Sequence, residues 1–330
     1  MKQKPQNIIR LIELLADGEF HSGAAIGQLL GVSRTAVSHY VTEVQKLGLD
    51  VFRVSGRGYR LAESIQLLDE GIIANYLASG EVSHLQLQRV VGSTNDTIRS
   101  LADADLVPGF TVLAEAQTAG RGRRGKQWQS PFGCNLYLSM YWPLNHGMAA
   151  AMGLSLAIGT AVAEALQAAG VIGVQLKWPN DVLVNGRKIA GILVELEGQA
   201  TGDANAIIGV GLNLAMPVWL SNEIDQPWTD LRNVLATNFD RNWWAAELIQ
   251  RCRAALCEFE QFGLTVFMPR WLQFDCLALQ PVNILMGSEV VSGIAEGIDA
   301  QGGLLVRRDG ILETFNAGEV SLRHAKKIIN

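Results

Sequence analysis

The chain has 330 residues, 48% of them hydrophobic and 18% charged, with a net charge of −5; its length suits two or three domains and its composition excludes a disordered protein. Its apolar runs end before the about 18 residues that a membrane helix needs, and its amphipathic N-terminus carries Glu13 and Asp17, so neither a membrane protein nor a signal peptide is expected. The four cysteines have no CxxC spacing, which favours reduced thiols in a cytoplasmic protein over a zinc site or disulfides.

The first 65 residues predict three helices followed by a hairpin. Apolar residues at helical spacing predict a first helix that ends at Asp17-Gly18. Ser22 and Ser33 are the expected N-caps of two further helices, and Gly31 is the expected turn between them. Residues 51–61 then predict a hairpin with glycines at its tip.

This order of elements resembles a winged helix-turn-helix, a DNA-binding domain, which we place at residues 1–65. It holds eight basic and six acidic residues, net +2, whereas the rest of the chain carries −7, so only this head is expected to meet a polyanion. The polar face of the third helix would enter the major groove, and the hairpin tip would touch a phosphate. The predicted DNA-binding residues are Arg34, Thr35, Ser38, His39, Thr42 and Arg57. The alternative is a packing module with a solvated polar face.

After a helical connection over residues 64–85, the pattern predicts one sheet. Short apolar runs separated by glycine signals predict its strands at 86–92, 110–117, 133–142, 172–185, 187–197 and 205–214. A small-residue helix over 149–170 is apolar nearly all round and is expected to be buried, and an amphipathic helix begins after residue 240. Residues 277–323 alternate short strands with glycine turns, which predicts a small β-barrel.

The stretch AGRGRRGKQW, residues 119–128, concentrates positive charge in an acidic chain. Arg121, Arg123, Arg124 and Lys126 lie within six residues, among three glycines. Because guanidinium groups suit phosphate and carboxylate, this pattern predicts an anion-binding loop. It is not a Walker P-loop, since no GK[ST] follows. We hypothesise that a ligand orders the loop.

Two further stretches carry candidate polar groups. Asn185-Gly186 between apolar runs predicts a hairpin that places Lys188 at the start of the returning strand, with Lys177 and Asp181 before the outgoing one. Lys188 is either a lysine at the edge of a site or a surface lysine beside a turn. The stretch GSTN, residues 92–95, taken alone is a helix-cap signal.

Together these motifs resemble the biotin–protein ligases, and the whole chain resembles the bacterial bifunctional ligases that also repress the biotin operon. The motifs that carry the resemblance, in order, are GSTN, AEAQTAGRGRRGKQW, KWPNDV, GRKIAGILVE and GVGLN. The resemblance implies an α+β fold: a winged helix-turn-helix at 1–65, a mixed-sheet, class II synthetase-like catalytic domain for biotin and ATP at 66–274, and an SH3-like barrel at 275–330. The chain departs from the family at Lys126-Gln127, where the basic run often continues.

The resemblance also implies the chemistry. Biotin's carboxylate attacks the α-phosphate of ATP and forms biotinyl-5′-adenylate. The adenylate then passes biotin to a lysine of a carrier protein. Mg²⁺ is expected to accompany ATP, and no metal is expected to be held by protein side chains. The implied biotin-binding residues are Ser93, Thr94, Asn95, Gln117, Gly120, Arg121, Gly122, Arg123, Lys188 and Gly191. The implied ATP-binding residues are Arg123, Arg124, Lys177, Asn180, Asn213 and Trp228. Catalysis would rest on Lys188, Arg121, Arg123 and Asp181.

A dual role follows if the adenylate orders a dimer interface that presents two heads to a palindromic operator. By similarity, segments 197–202 and 145–149 are the candidate dimer contacts. The implied partners are the biotin carrier protein of acetyl-CoA carboxylase, operator DNA and a second copy of the chain. Three alternatives stay open: a biotin ligase whose head does not bind DNA, a lipoate ligase, and a ligand-sensing regulator without catalysis.

Overall fold

The computed structural model describes residues 3–77, 84–101, 106–145, 147–199, 203–286, 289–316 and 321–324. No helix within these ranges is long and apolar enough to cross a membrane. All four cysteines are free thiols.

The head has the predicted helix-turn-helix and hairpin. Its elements are α1 (Gln3–Leu15), α2 (Gly23–Leu30), α3 (Arg34–Lys46), β1 (Val51–Val54) and β2 (Gly58–Leu61). Ser22 and Ser33 accept hydrogen bonds from backbone N–H groups in the first turns of α2 and α3, as predicted. Gly31 ends α2 at a φ of 66°, a left-handed conformation that glycine adopts without strain.

The predicted helical connection over 64–85 is confirmed only in part. Among its described residues, α4 (Glu70–Tyr76) is the α-helix, with Asp69 as its N-cap, residues 64–69 are not helical, and residues 78–83 lie outside the described residues. Residues 66–69 are instead held by side chains of the central domain. Asn242 Oδ1, for example, accepts from the backbone N–H of Asp69 at 2.8 Å.

The central domain is built on a seven-stranded mixed sheet of order β3-β4-β5-β9-β8-β7-β6. Its strands are β3 (Leu85–Val91), β4 (Thr111–Gln117), β5 (Asn135–Leu144), β6 (Val174–Lys177), β7 (Asp181–Val184), β8 (Arg187–Gly198) and β9 (Ala204–Asn213). Among the described strands of this sheet, β3 and β4 are the one pair that runs in parallel. The single strand predicted over 172–185 is wrong, because a turn with a cis peptide bond between Trp178 and Pro179 divides it into β6 and β7.

Helices flank and cover this sheet. They are α5 (Thr94–Arg99), α6 (Leu154–Ala168), α7 (Leu231–Val234), α8 (Arg241–Phe262) and α9 (Met268–Phe274). As predicted, α6 is buried on nearly every side, and it packs between the sheet and α8. The helix predicted over 149–170 starts later than expected, after a 3₁₀ turn over Met148–Ala151.

The C-terminal region forms a small antiparallel sheet of order β13-β12-β11-β10-β14. Its strands are β10 (Pro281–Met286), β11 (Glu289–Ile298), β12 (Leu304–Arg308), β13 (Ile311–Phe315) and β14 (Ser321–His324). The buried Trp178 indole of the central domain donates to the Gly302 carbonyl of this sheet at 2.9 Å. The α+β class is therefore confirmed, with a helix-turn-helix, a mixed sheet and a small antiparallel sheet in that order. The boundaries predicted at residues 65 and 274 stay predictions.

The head and the central domain share a hydrophobic core. Phe132 and Ala116 of the central domain are buried within the apolar cluster of the head. The Phe132 N–H donates to the Leu47 carbonyl just after α3 at 3.0 Å. The interface also contains an ion pair of 3.2 Å between Glu13 of α1 and Arg89 of β3.

A buried carboxylate lies directly beneath this interface. Glu115 on β4 is fully buried and accepts from Arg241 at 2.7 Å and from Arg89 at 3.4 Å. It also accepts from the backbone N–H of Leu68. Because a buried carboxylate is costly unless it is paired and hydrogen-bonded, these contacts fix the connection between head and sheet against β4.

Candidate active site

One cleft of about 800 Å³ collects most of the predicted site residues. The carboxyl end of β3, the loop after β4, the turn between β6 and β7, and the middle of β8 and β9 all contribute to its wall. The predicted residues that line it are Ser93, Thr94, Asn95, Gln117, Arg121, Gly122, Arg123, Arg124, Lys177, Asn180, Asp181, Lys188 and Gly191. Positions nearly 100 residues apart in the sequence therefore face one space.

At one end of the cleft lies an amide cluster, formed by Ser93, Thr94, Asn95 and Gln117. Gln117 Oε1 accepts from the N–H and the hydroxyl of Thr94 at 2.9 and 3.1 Å. Ser139, which the sequence analysis missed, donates its hydroxyl to Asn95 Oδ1 at 2.5 Å. Ser93 is the N-cap residue of α5, as the helix-cap signal in GSTN predicts, but its side chain makes no cap hydrogen bond. Neutral groups with fixed donors and acceptors suit a neutral polar ligand.

The stretch of concentrated positive charge folds into a basic hairpin, residues 120–128. The Trp128 N–H donates to the Gly120 carbonyl at 2.9 Å, and the Gly122 N–H donates to the Lys126 carbonyl at 2.7 Å. At its tip Arg124 has a φ of 57°, which is unusual for a residue other than glycine. Such strain is common where a side chain serves a ligand. That a ligand orders this segment stays a prediction.

The cations of the hairpin have different surroundings. Arg123 is partly buried in the cleft wall and donates to Asn180 Oδ1 at 3.3 Å. Burial, aided by the charge of Arg124, lowers the pKa of Arg123, so an anion that contacts it meets a poorly solvated guanidinium. Arg124 and Lys126 are exposed at the rim. Arg121, which we expected to bind substrate anions, is instead paired with carboxylates of the protein.

Lys188 lies inside the cleft and not beside a surface turn. Its ammonium contacts Asp181 at 2.6 Å, and both side chains are more than four-fifths buried. The Asn185-Gly186 turn forms as predicted, with positive φ at both residues. A β-bulge where β7 pairs with β8 leaves Ile189 opposite no residue. A bulge shifts the alternation of side chains between the two faces of a strand. It therefore sets the direction in which the Lys188 side chain points.

The turn between β6 and β7 completes the wall near these charges. Lys177 and Asn180 face the cleft. Asn180 donates its amide to the Ile192 carbonyl at 2.9 Å while its Oδ1 accepts from Arg123. Asn180 therefore connects the hairpin to β8.

Trp128 is a site residue that the sequence analysis missed. A side chain at Gly191 or Gly211 would collide with its ring, at 3.0 and 2.6 Å respectively. The Lys188 ammonium lies 5.2 Å from the centre of the ring, within the range of a cation–π contact. The buried indole N–H has no hydrogen-bond partner among the described residues. The sequence signal for Trp128 is that it is the aromatic residue at the end of the basic run.

Three predicted residues do not line this cleft. Gly120 is buried beneath it, where a side chain would meet Ser130 at 2.6 Å. Asn213 is buried and donates to the Thr229 carbonyl at 3.0 Å. Trp228 faces a neighbouring cavity of about 760 Å³ that shares residues 224–226 with the cleft, and its backbone pairs with Lys188. Any contact of Trp228 with a ligand would come from that side.

The predicted DNA-binding residues lie on the surface of the head. Arg34, Thr35, His39 and Thr42 are exposed on α3, and Ser38 is partly exposed. Arg57 is exposed on the hairpin, with its guanidinium 4.1 Å from the centre of the Phe20 ring. These positions give one polar helix face and one positioned arginine.

The described ranges contain no cluster of three or more His, Cys, Asp or Glu residues that could hold a metal ion. In the cleft, Asp181 is paired with Lys188. That no protein side chain holds a metal stays a prediction.

Comparisons with known proteins agree with this geometry. Residues 87–213 match the biotin/lipoate A/B protein ligase family, residues 280–323 the biotin protein ligase C-terminal domain, and residues 7–60 an HTH domain. The chain is 47% identical to the bifunctional ligase/repressor BirA of Salmonella typhimurium, over 96% of this chain and 98% of the relative. It is 46% identical to the Escherichia coli protein of the same name, over 97% and 98% of the two chains. The Aquifex aeolicus biotin protein ligase in complex with biotin and ATP is 27% identical, with a TM-score of 0.63 over 73% of this chain and 99% of that one.

Proposed function

This chain belongs to the biotin protein ligase family, and we propose that it couples biotin to a carrier protein with ATP and also represses transcription. The observation that carries the ligase activity is the position of Lys188, which lies in the cleft with the amide cluster and the basic hairpin. Relatives similar over nearly the whole chain are named bifunctional ligase/repressors, and the head has the matching HTH domain.

In the first step, the carboxylate of biotin attacks the α-phosphorus of ATP and pyrophosphate leaves. Two anions must approach each other, so cations that offset their repulsion lower the barrier. Lys188 and Arg123, which both line the cleft, supply this charge. Asp181 holds the Lys188 ammonium in place. Mg²⁺ that accompanies ATP would screen the phosphate charges in this step.

In the second step, the amine of a carrier lysine attacks the acyl carbon of biotinyl-5′-adenylate, forming an amide as AMP leaves. The amide cluster binds the neutral ureido ring of biotin, and Trp128 on Gly191 and Gly211 covers its apolar part. Lys177, Arg124 and Asn180 meet the nucleotide, and Trp228 stacks on adenine from the neighbouring cavity. A carrier protein of acetyl-CoA carboxylase and a cytoplasmic location are part of this proposal.

Transfer of labelled biotin to a carrier domain with ATP tests the ligase activity. Lys188→Ala should lower kcat/KM by roughly a hundredfold or more, because removing one preorganised charge from a desolvated site has effects of that size. Lys46→Ala, which removes an exposed lysine of the head, should leave transfer unchanged. Equal transfer by the wild type and Lys188→Ala removes Lys188 from the mechanism.

Repression would follow from adenylate-dependent dimerisation, which brings two heads to a palindromic operator. The candidate dimer segments, 197–202 and 145–149, lie partly outside the described residues. Biotin with ATP should raise both the mass measured by sedimentation and the affinity for operator DNA. Equal affinity with and without these ligands rejects corepression but leaves the ligase activity standing.

A further inference from the structure

The contacts of Arg121 differ from those of every other cation in the basic hairpin. Its two terminal nitrogens donate to the two oxygens of Asp96 at 2.5 and 2.7 Å, a bidentate geometry. Its guanidinium also lies 3.4 Å from both oxygens of Glu195 on β8. The hydrogen bond from Arg121 lowers the pKa of Asp96 against the opposing effect of burial.

We propose that Asp96 and Glu195 are positioning residues for the ligase reaction, and that Arg121 is the anchor of the basic hairpin and not a ligand of substrate anions. This inference rests on the proposed ligase function. Asp96 and Glu195 act through Arg121, which sets where Arg123 and Arg124 stand.

Arg121 lies at a position from which it can hold the whole basic hairpin in place. It lies at the base, where it forms an antiparallel bridge with Gln127. The residues between these two form the strained tip that carries Arg123 and Arg124. Fixing Arg121 to α5 and β8 therefore fixes both sides of the hairpin base, while the tip keeps its own side chains for the cleft.

The charge around Arg121 disfavours a role in binding anions. Arg99 joins the same cluster and contacts Asp96, Glu195 and Glu197. Two arginines thus face three carboxylates, which leaves a net charge of −1 in the cluster. A biotin carboxylate or an ATP phosphate that approached Arg121 would also approach Asp96 and Glu195. Arg123 and Lys188 offer the anion a better place.

Glu195 also joins this cluster to the predicted biotin end of the cleft. Its Oε2 accepts from the amide of Asn95 at 2.7 Å. Asn95 Oδ1 is already the acceptor of the Ser139 hydroxyl. One carboxylate therefore fixes the orientation of Asn95 and the base of the hairpin together, and an error at the cluster should reach both biotin binding and adenylate retention.

A double-mutant cycle separates an anchor from a substrate ligand. Asp96→Asn, Arg121→Gln and the double variant are compared by pyrophosphate release with biotin and ATP, and by hydrogen exchange of the free protein over residues 118–130. An anchor predicts that each single change raises the KM for biotin by roughly two- to tenfold, about what a partly exposed pair contributes. The double variant should be no worse than either single one.

Hydrogen exchange of the hairpin amides, together with conservative variants, provides a second test of the anchor. The amides of Gly122 and Trp128 close the hairpin and should exchange faster in all three variants. Arg121→Lys, which keeps the charge but loses the bidentate fork, should behave as Arg121→Gln does, whereas Asp96→Glu should restore KM. Glu197→Gln is the matched control, since Glu197 pairs with Arg99 in the same cluster, and it should leave this exchange unchanged.

Two results overturn the proposal. One is a loss of kcat/KM in Arg121→Gln more than tenfold larger than in Asp96→Asn, with additive effects, because it shows that Arg121 binds substrate directly. The other is unchanged exchange in Asp96→Asn. If instead the wild type releases no pyrophosphate with biotin and ATP, the ligase function fails, while the exchange data still decide whether Arg121 anchors the hairpin.

Discussion

Arg121 and Arg123 are two positions apart in one basic run, yet their environments are opposite. Arg121 is saturated by carboxylates, whereas Arg123 is desolvated with one neutral partner. The sequence predicts that such a run binds anions because of its charge density. It does not reveal which arginine is neutralised, because Asp96 and Glu195 lie 25 and 74 positions away from Arg121.

Asp275 is a residue whose charge state the sequence did not predict. It lies at the junction of α9 with the C-terminal sheet, and burial raises its pKa to about 6. One of its oxygens accepts from the Leu277 N–H at 2.9 Å, and the other is buried without a partner. Because the carboxyl pKa is higher in the folded than in the unfolded state, the folded protein binds more protons between about pH 4 and 6. Stability therefore falls as pH rises through that window.

Asp275→Asn keeps the acceptor for Leu277 and removes the buried charge. At pH 7.5 its Tm should exceed that of the wild type by about 1–3 °C, and the difference should shrink below about pH 5, where the wild-type carboxyl is protonated. Asp309→Asn is the control, because Asp309 is almost fully exposed. A Tm difference that is the same at both pH values contradicts this account.

At the scale of elements, local sequence patterns predicted most strands of the central sheet but missed the division of one predicted strand into two. Apolar runs bounded by glycine placed β3, β4, β5, β8 and β9 within about two residues, because strand burial repeats at short range. The run over 172–185 was predicted as one strand, although the turn residues Pro179 and Asn180 follow Trp178 within it. The ring of Trp178 is buried, and its indole N–H donates to the Gly302 carbonyl between two strands of the C-terminal sheet. Because these residues are far apart in the sequence, a local pattern of hydrophobicity cannot reveal this contact.

The head hairpin shows how one element positions another. Phe20, before α2, lies under the guanidinium of Arg57, and the Arg60 guanidinium is 5.2 Å from the same ring. Because the aromatic face orients the cation without removing its charge, we expect Phe20 to preorganise the phosphate contact. The sequence marked Arg57 through the hairpin tip but gave no reason to pair it with Phe20.

Salt titration of operator binding separates these two contributions. Arg57→Ala should weaken binding and reduce the slope of log K against log salt by about 0.9, the value for one lost phosphate contact. Phe20→Leu should weaken binding by roughly two- to fivefold and leave the slope unchanged. Leu29→Ala, at an exposed apolar position of α2, is the control. Equal slopes for wild type and Arg57→Ala show that Arg57 does not meet a phosphate.

For the whole molecule, the central observation is that the hydrophobic core of the head includes residues of the central domain. Phe132 is fully buried, and it completes the cluster formed by α1, α3 and the hairpin. It follows the basic hairpin by four positions, and Ser130 between them accepts from Gln117 of the amide cluster at 3.1 Å. The segment that covers the cleft therefore continues directly into the core of the head.

Phe132→Ala tests this shared core. Truncating a buried phenylalanine costs about 3–5 kcal/mol, and the loss should fall on the head. Hydrogen exchange of α1 and α3 should rise strongly, while that of α8 should stay close to the wild-type rate. Phe262→Ala is the matched control, because that ring is 60% exposed at the end of α8. Equal acceleration in α3 and α8 shows that the molecule unfolds as one unit and contradicts a local role.

The insertion of Phe132 also bears on how such a protein gains or loses a domain in evolution. Deleting residues 1–65 would turn a core phenylalanine into a surface one and expose Ala116 beside it. A lineage that discards the head must therefore repair this patch, and one that acquires a head must create it. In biotin ligases that lack a head, the position aligned with Phe132 is expected to carry a polar residue, so that a single column of an alignment would record which enzymes descend from regulators.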